Sequence, residues 1–177
     1  MSLQKTREFI LQEKLMSFRD KVKVMNPNQE ILGYFVGKII KIANKYRLID
    51  SNEKIILVVQ EKLISLRATY SFYKTNKEDP DDSELIGRMK RKLVSIKPNY
   101  WFEDKNENQI FKMKGNIFAL KYTIQKDGKD VAWINKKLFK IKGTYGVKID
   151  PNIDDDTAML ILGIVVMLHH EKEEDRK

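Results

Sequence analysis

The stretch Ala158 to Leu168, AMLILGIVVML, holds eleven residues without one polar side chain, preceded by Asp154, Asp155, Asp156 and Thr157 and followed by His169 and His170. Wound as a helix it has no polar face, so it must be buried on every side, in lipid or in protein. A membrane span needs roughly 20 apolar residues, and so short a run reads instead as a buried core helix. The rest of the chain is then expected to form a wrapper with an apolar inside. The three aspartates suit the helix start, where carboxylates cap free amide groups and meet the positive end of the dipole.

The preceding residues repeat one unit. EKLMSFRDKVKV (from Glu13), GKIIKIANKYRL (from Gly37), EKLISLRATYSF (from Glu61) and RKLVSIKPNYWF (from Arg91) are followed by a shortened copy, GNIFALKYTI (from Gly115), and by KKLFKIKGTYGV (from Lys136). With Lys14, Lys38, Lys62, Lys92, Asn116 and Lys137 as origins, the steps are 24, 24, 30, 24 and 21 residues. The long step reflects a polar insertion, KTNKEDPDDSE, from Lys74 to Glu84.

The columns of the repeat read as β-structure. Leu11, Phe35, Val59, Met89, Met113 and Ile134 stand three before the origin, and Leu15, Ile39, Leu63, Leu93, Ile117 and Leu138 one after it. The column between them is mostly polar, which is the period-2 alternation of a strand with one buried face. After a corner, a second strand carries Tyr46, Tyr70, Tyr100, Tyr122 and Tyr145, with Val22 in the first copy. Turn-formers separate the copies: NPNQE from Asn26, DSNE from Asp50, DKNEN from Asp104 and DGK from Asp127. Six copies of two strands predict a mainly β fold, a closed twelve-stranded antiparallel barrel over about 8–150 with the helix over about 154–170 inside it. Closure removes the exposed edges and creates the cavity that the helix fills. One further column, Phe9, Gly33, Leu57, Gly87, Phe111 and Ala132, alternates large with small, and Gly163 lies mid-helix. It predicts either close backbone approach or bulges at the glycines.

The [KG]-K-L-x-S-Φ-[RK] corner followed by Y-x-Φ, the paired hairpins and the terminal D-D-D-x-x-x before an apolar helix resemble the LURP-one-related family. The resemblance spans roughly Glu8 to His170. It implies a tubby-like fold, a twelve-stranded barrel around a central C-terminal helix, shared in architecture with the tubby C-terminal domain and phospholipid scramblases. Tubby domains bind phosphoinositides, but their headgroup residues have no matching motif here, and neither does the calcium site of scramblases. Fold alone does not fix function.

Composition narrows the function classes. The 177 residues suit a single domain, and the absence of cysteine excludes disulfides and thiolate metal sites. The first residues lack a signal peptide's apolar core, so a cytoplasmic protein, peripheral at a membrane, is expected. His169 and His170 are adjacent on the helix and face different ways, which reads as a solvated helix end and not as a metal site. No nucleotide loop, zinc-helix motif or nucleophile elbow is present in the sequence. Ser17, Ser65 and Ser95 recur at one corner and read as turn residues. A non-enzymatic protein without cofactor, metal or catalytic residues is therefore expected, and a monomer.

Charge is the best functional clue. The net charge of +9 points to an anionic partner, or to lysines kept for solubility. In an up-and-down barrel all corners lie at one end and all hairpin tips at the other. The corners carry Lys14, Arg19, Lys38, Lys62, Arg67, Lys92, Lys97 and Lys137 among their cations, while Glu78, Asp79, Asp104 and other acids fall at the tips. A basic rim facing an anionic membrane surface or a phosphoinositide-like headgroup is the first reading. Nucleic acid is the second, using Arg88, Lys90, Arg91 and Lys92 with Trp101 and Trp133 as stacking surfaces. A protein-interaction module is the third. The tail from Glu171 to Lys177 is expected to emerge as a charged end beside the basic rim and to compete with external anions.

Overall fold

The computed structural model describes residues 2–13, 21–39, 44–62, 69–92, 99–139, 141 and 143–174. Twelve strands follow in order: β1 (Glu8–Glu13), β2 (Lys21–Met25), β3 (Ile31–Ile39), β4 (Asn44–Asp50), β5 (Ile55–Lys62), β6 (Thr69–Tyr73), β7 (Leu85–Arg91), β8 (Tyr100–Asp104), β9 (Gln109–Asn116), β10 (Lys121–Lys126), β11 (Lys129–Asn135) and β12 (Thr144–Ile149). Each pairs antiparallel with its sequence neighbours, and β1 closes the barrel on β12 with Phe9 opposite Val147. This is the expected closed tubby-like barrel.

The helix α1 (Asp155–Glu174) threads the barrel, and Leu160, Ile161, Leu162, Ile164, Val165 and Leu168 are all buried. It is surrounded by the expected first-strand column, Phe35, Val59, Met89, Met113 and Ile134, and by Val24, Leu48, Phe72, Phe102, Ile124 and Val147 from the second strands, all buried. Asp154 caps the start, its carboxylate accepting from the Thr157 amide at 2.9 Å. Asp155 receives Arg7 at 2.7 Å and Lys5, and Asp156 receives Lys74.

Among the described residues, the tips place their acids in the turns themselves. The Asp50 carboxylate accepts from the amides of Asn52 and Lys54, and that of Asp104 from Asn106 and Asn108, all at 2.8–2.9 Å. Just beyond each of the five tips the register slips by one residue, so a bulge tightens the turn of the wall. Bulges sit beside Leu57, Phe111 and Ala132 as well as beside Gly33 and Gly87, so they do not explain the glycines. The close approach of the next strand does: a Cβ on Gly33 would run into the Ile49 carbonyl oxygen, and one on Gly87 into that of Glu103.

Three expectations need correction. The helix does not end at His170 but runs to Glu174, and Glu171 and Lys172 are buried, so no solvated tail begins at Glu171. The polar insertion is not wholly a tip. Glu78 meets Arg47 at 2.5 Å and Asp79 meets Lys45, both on β4, so this loop lies along the outer wall, where the outward-facing Val58 and Tyr73 are buried. Leu138 shares a repeat column with the buried Ile117, yet it is 37% exposed and rests against Gly146 from outside the wall.

Candidate functional site at the corner end of the barrel

The up-and-down connectivity gathers every corner at the end where α1 finishes. There the tyrosine column points inward. Tyr46 meets His170 at 2.7 Å, and Tyr70 donates to the Glu171 carboxylate at 2.5 Å. Tyr100 reaches the other Glu171 oxygen at 3.3 Å, as does Arg91. Tyr145 stacks on His169, with centroids 4.7 Å apart. Burial pushes the Tyr70 hydroxyl well above its ordinary range, and the neighbouring Glu171 carboxylate adds to the shift. The arrangement is therefore a buried polar plug, and the two histidines belong to it instead of to a solvated end. Among the described residues, no three His, Asp or Glu side chains converge as metal ligands.

Outside this plug, Lys62, Lys92 and Lys137 are exposed on the rim, as are Lys121 and Lys136. Among the described residues none of these five makes an ion pair. Lys14, Arg19, Arg67 and Lys97 lie outside the described residues, and so does the Lys38 side chain, although Lys38 itself pairs with Lys45 in β3 and β4.

The basic run at the end of β7 does not form one surface. Arg88 and Lys90 lie on the outer wall, where Lys90 pairs with Glu103. Glu103 also accepts from the Trp101 indole nitrogen at 3.2 Å. Arg91 has the parity of the core residue Met89 and turns inside to Glu171, while Lys92 stays on the rim. A cation strip with a free stacking face at Trp101 is thus not what the wall presents. Trp133 is 37% exposed on β11, between Thr123 of β10 and Lys148 of β12.

At the opposite end an open groove of about 470 Å³ is lined by Lys5, Arg7, Asn26, Asn28, Lys148 and Pro151, among others. Its guanidinium is already committed, since Arg7 donates to the Ile153 carbonyl at 2.8 and 3.1 Å and to Asp155. The corner end is the better candidate.

The family model for LURP-one-related proteins matches residues 7–169, nearly the whole chain. The chain belongs to the LURP-one-related family. A protein from Arabidopsis thaliana with an X-ray structure shares the fold of this LURP-one-related domain, with a TM-score of 0.63 at 16% identity, over 92% of this chain and 90% of that one. At that identity the likeness speaks for the fold alone. No curated protein matches the sequence. Family and barrel together suggest a binding module. Among the described residues, no helix is long and apolar enough to cross a membrane.

Proposed function

We propose that this LURP-one-related domain is a non-enzymatic module that docks, peripherally, on anionic phospholipid or phosphorylated headgroups through the corner end of its barrel. One observation carries the reading. Lys62, Lys92, Lys121, Lys136 and Lys137 stand exposed at that end without an acidic partner among the described residues. Acids elsewhere close turns or neutralise cations such as Lys45, Arg47 and Lys90. A lysine held near an acidic leaflet contributes about 1 kcal/mol, so five give reversible binding.

The test is co-sedimentation with phosphatidylcholine vesicles, with and without about a third phosphatidylserine, across about 0.1 to 0.5 M salt. Binding to the anionic vesicles alone, weakened by salt and by Lys136→Glu with Lys137→Glu, supports the reading. Equal sedimentation with both vesicle types, or with neither, overturns it. A shift of single-stranded oligonucleotide without vesicle binding assigns the rim to nucleic acid instead.

A further inference from the structure

We propose that two adjoining turns at the corner end form an amphipathic wedge, with Phe118 and Leu138 entering the headgroup layer of an anionic bilayer. The proposal rests on the docking reading above and names the part of that surface that penetrates.

The sector is built from two segments without a carboxylate. Ile110 to Ile124 carries Lys112, Lys114 and Lys121, and Val131 to Thr144 carries Lys136, Lys137, Lys140 and Lys142, while Lys148, farther along β12, pairs with Glu8. Elsewhere the chain mixes its charges, as at Lys90 beside Glu103. Of the four large apolar side chains most exposed among the described residues, three stand in this sector: Phe118, Trp133 and Leu138. A single exposed apolar residue on a surface means little, but Phe118 and Leu138, on adjoining turns among lysines and each eight or more residues from an acid in the sequence, form a patch of definite chemistry.

The two turns are fixed in shape. Between β9 and β10 the Asn116 side chain accepts from the Ala119 amide at 2.9 Å, and the Leu120 amide donates to the Ile117 carbonyl at 3.0 Å. Ile117 and Leu120 are buried as anchors, which leaves Phe118 outside. Leu120 holds a φ of +49°, a conformation that bulky side chains rarely adopt, so the turn keeps a shape its sequence resists. After β11 the Asn135 side chain accepts from the Lys137 amide at 2.8 Å, directly before Leu138. The Lys136 amide donates to the Leu120 carbonyl at 3.3 Å and ties the second turn to the first. Phe118 and Leu138 are thus carried on neighbouring closed turns and lose little backbone freedom on insertion.

The chemistry favours a bilayer over an acidic protein. Phe118 and Leu138 are partly exposed on turns flanked by the exposed Lys121, Lys136 and Lys137, and a fluid anionic headgroup layer accommodates such a mixed patch where a rigid partner would need a matching pocket. Trp133 stands two residues before Asn135 on the outer wall, roughly 7 Å from the corner. That is the level at which an indole suits a membrane interface.

The wedge predicts an apolar component of binding that salt does not remove. The test uses the full chain with phosphatidylcholine vesicles containing about a third phosphatidylserine, at about 0.1 and 0.5 M salt. At high salt the Phe118→Ser, Leu138→Ser double variant should bind at least about tenfold more weakly than the parent, and Phe118→Trp more tightly. Lys136→Gln with Lys137→Gln should lose low-salt binding but keep the salt-resistant part. Since Leu138 covers Gly146, thermal unfolding is compared throughout, and Phe118→Ser alone decides the matter if the double variant is unstable. In a Trp101→Phe background, the emission of Trp133 should shift to the blue on adding vesicles. Parent-like binding by Phe118→Ser at both salts, with unmoved emission, overturns the wedge and leaves the docking reading standing. No anionic-vesicle binding by the parent overturns both.

Discussion

Tyr70 and Glu171, 101 residues apart, share a hydrogen bond of 2.5 Å inside the barrel. It ties the middle of the wall to the last turns of the helix, and the same carboxylate also serves Tyr100 and Arg91. Replacing Glu171 by Ala removes the carboxylate that Tyr70, Tyr100 and Arg91 share in the barrel. Chemical denaturation should show a loss of about 3 kcal/mol or more. Glu171→Gln keeps one acceptor oxygen and should lose about half as much. By the same reasoning, deleting Glu171 to Lys177 destabilises the fold. An unchanged melting temperature after that deletion would show the plug to be dispensable.

Tyr122 offers the opposite case. Its hydroxyl is buried and has no hydrogen-bond partner among the described residues, and burial holds its pKa well above the ordinary tyrosine value. Removing an unsatisfied polar atom relieves its desolvation cost, so Tyr122→Phe should leave stability unchanged or raise it by about 1 kcal/mol. Tyr70→Phe should lower it by about 1.5–3 kcal/mol, because that hydroxyl donates to a carboxylate. Equal effects of the two substitutions in urea titrations would contradict this division.

What could be read in the sequence follows from what each signal measures. Period-2 alternation reports which side of a strand is apolar, and it placed Leu11, Phe35, Val59 and Met89 inside without error. It says nothing about polar groups buried with partners, so His169, Glu171 and Lys172 looked solvated. A signal did exist: the tyrosine column brings its hydroxyls to one end of the lumen, where the polar end of the helix meets those of Tyr46, Tyr70 and Tyr100. Parity alone also separates Arg91, which follows Met89 inward, from Lys90. The course of the 74–84 loop had no local signature, since its acids find Lys45 and Arg47 only across the folded wall. Leu138 departs from its column because the sixth repeat forms its turn straight after Asn135, before the strand reaches that position.

Gly163 tests how closely helix and wall approach. A Cβ there would stand 2.6 Å from Leu57 Cδ2 and 3.2 Å from Phe72 Cε1. Gly163→Val forces both side chains outward and should cost about 1–3 kcal/mol. Gly163→Ala should cost less, because about 1 kcal/mol of helix propensity offsets the crowding. Adding Leu57→Val to Gly163→Val should recover part of the loss, a coupling that a double-mutant cycle measures. Strict additivity would mean that the wall yields elsewhere.

The N-terminus of the helix gives the fold an acid-sensitive end. Hydrogen bonds from Lys5 and Arg7 hold the Asp155 carboxyl below its ordinary value, and those from Thr157 do the same for Asp154. A carboxylate with a depressed folded pKa contributes stability that is complete above roughly pH 4 and is lost as pH falls through the folded value. Asp155→Asn should therefore melt below the parent at neutral pH, and the gap should close as pH falls towards about 2. A gap independent of pH would assign the effect to packing.

The helix is part of folding and not an addition to a finished barrel. Removing the residues after Ile153 takes away Leu160, Ile161, Leu162, Ile164, Val165 and Leu168, all buried, together with both partners of the tyrosine column. Each large side chain lost from a core costs about 2–5 kcal/mol, against a total stability of about 5–15 kcal/mol. The barrel cannot close over that space, because its radius is set by twelve paired strands and not by the side chains within. The 1–153 fragment should therefore lack a cooperative unfolding transition and dispersed amide resonances. Supplying a peptide of residues 154–177 in trans should restore both, since the missing surface is contiguous and begins at the open tip end. A fragment that is soluble and unfolds cooperatively without the peptide would show that the wall holds itself, and that the helix is cargo.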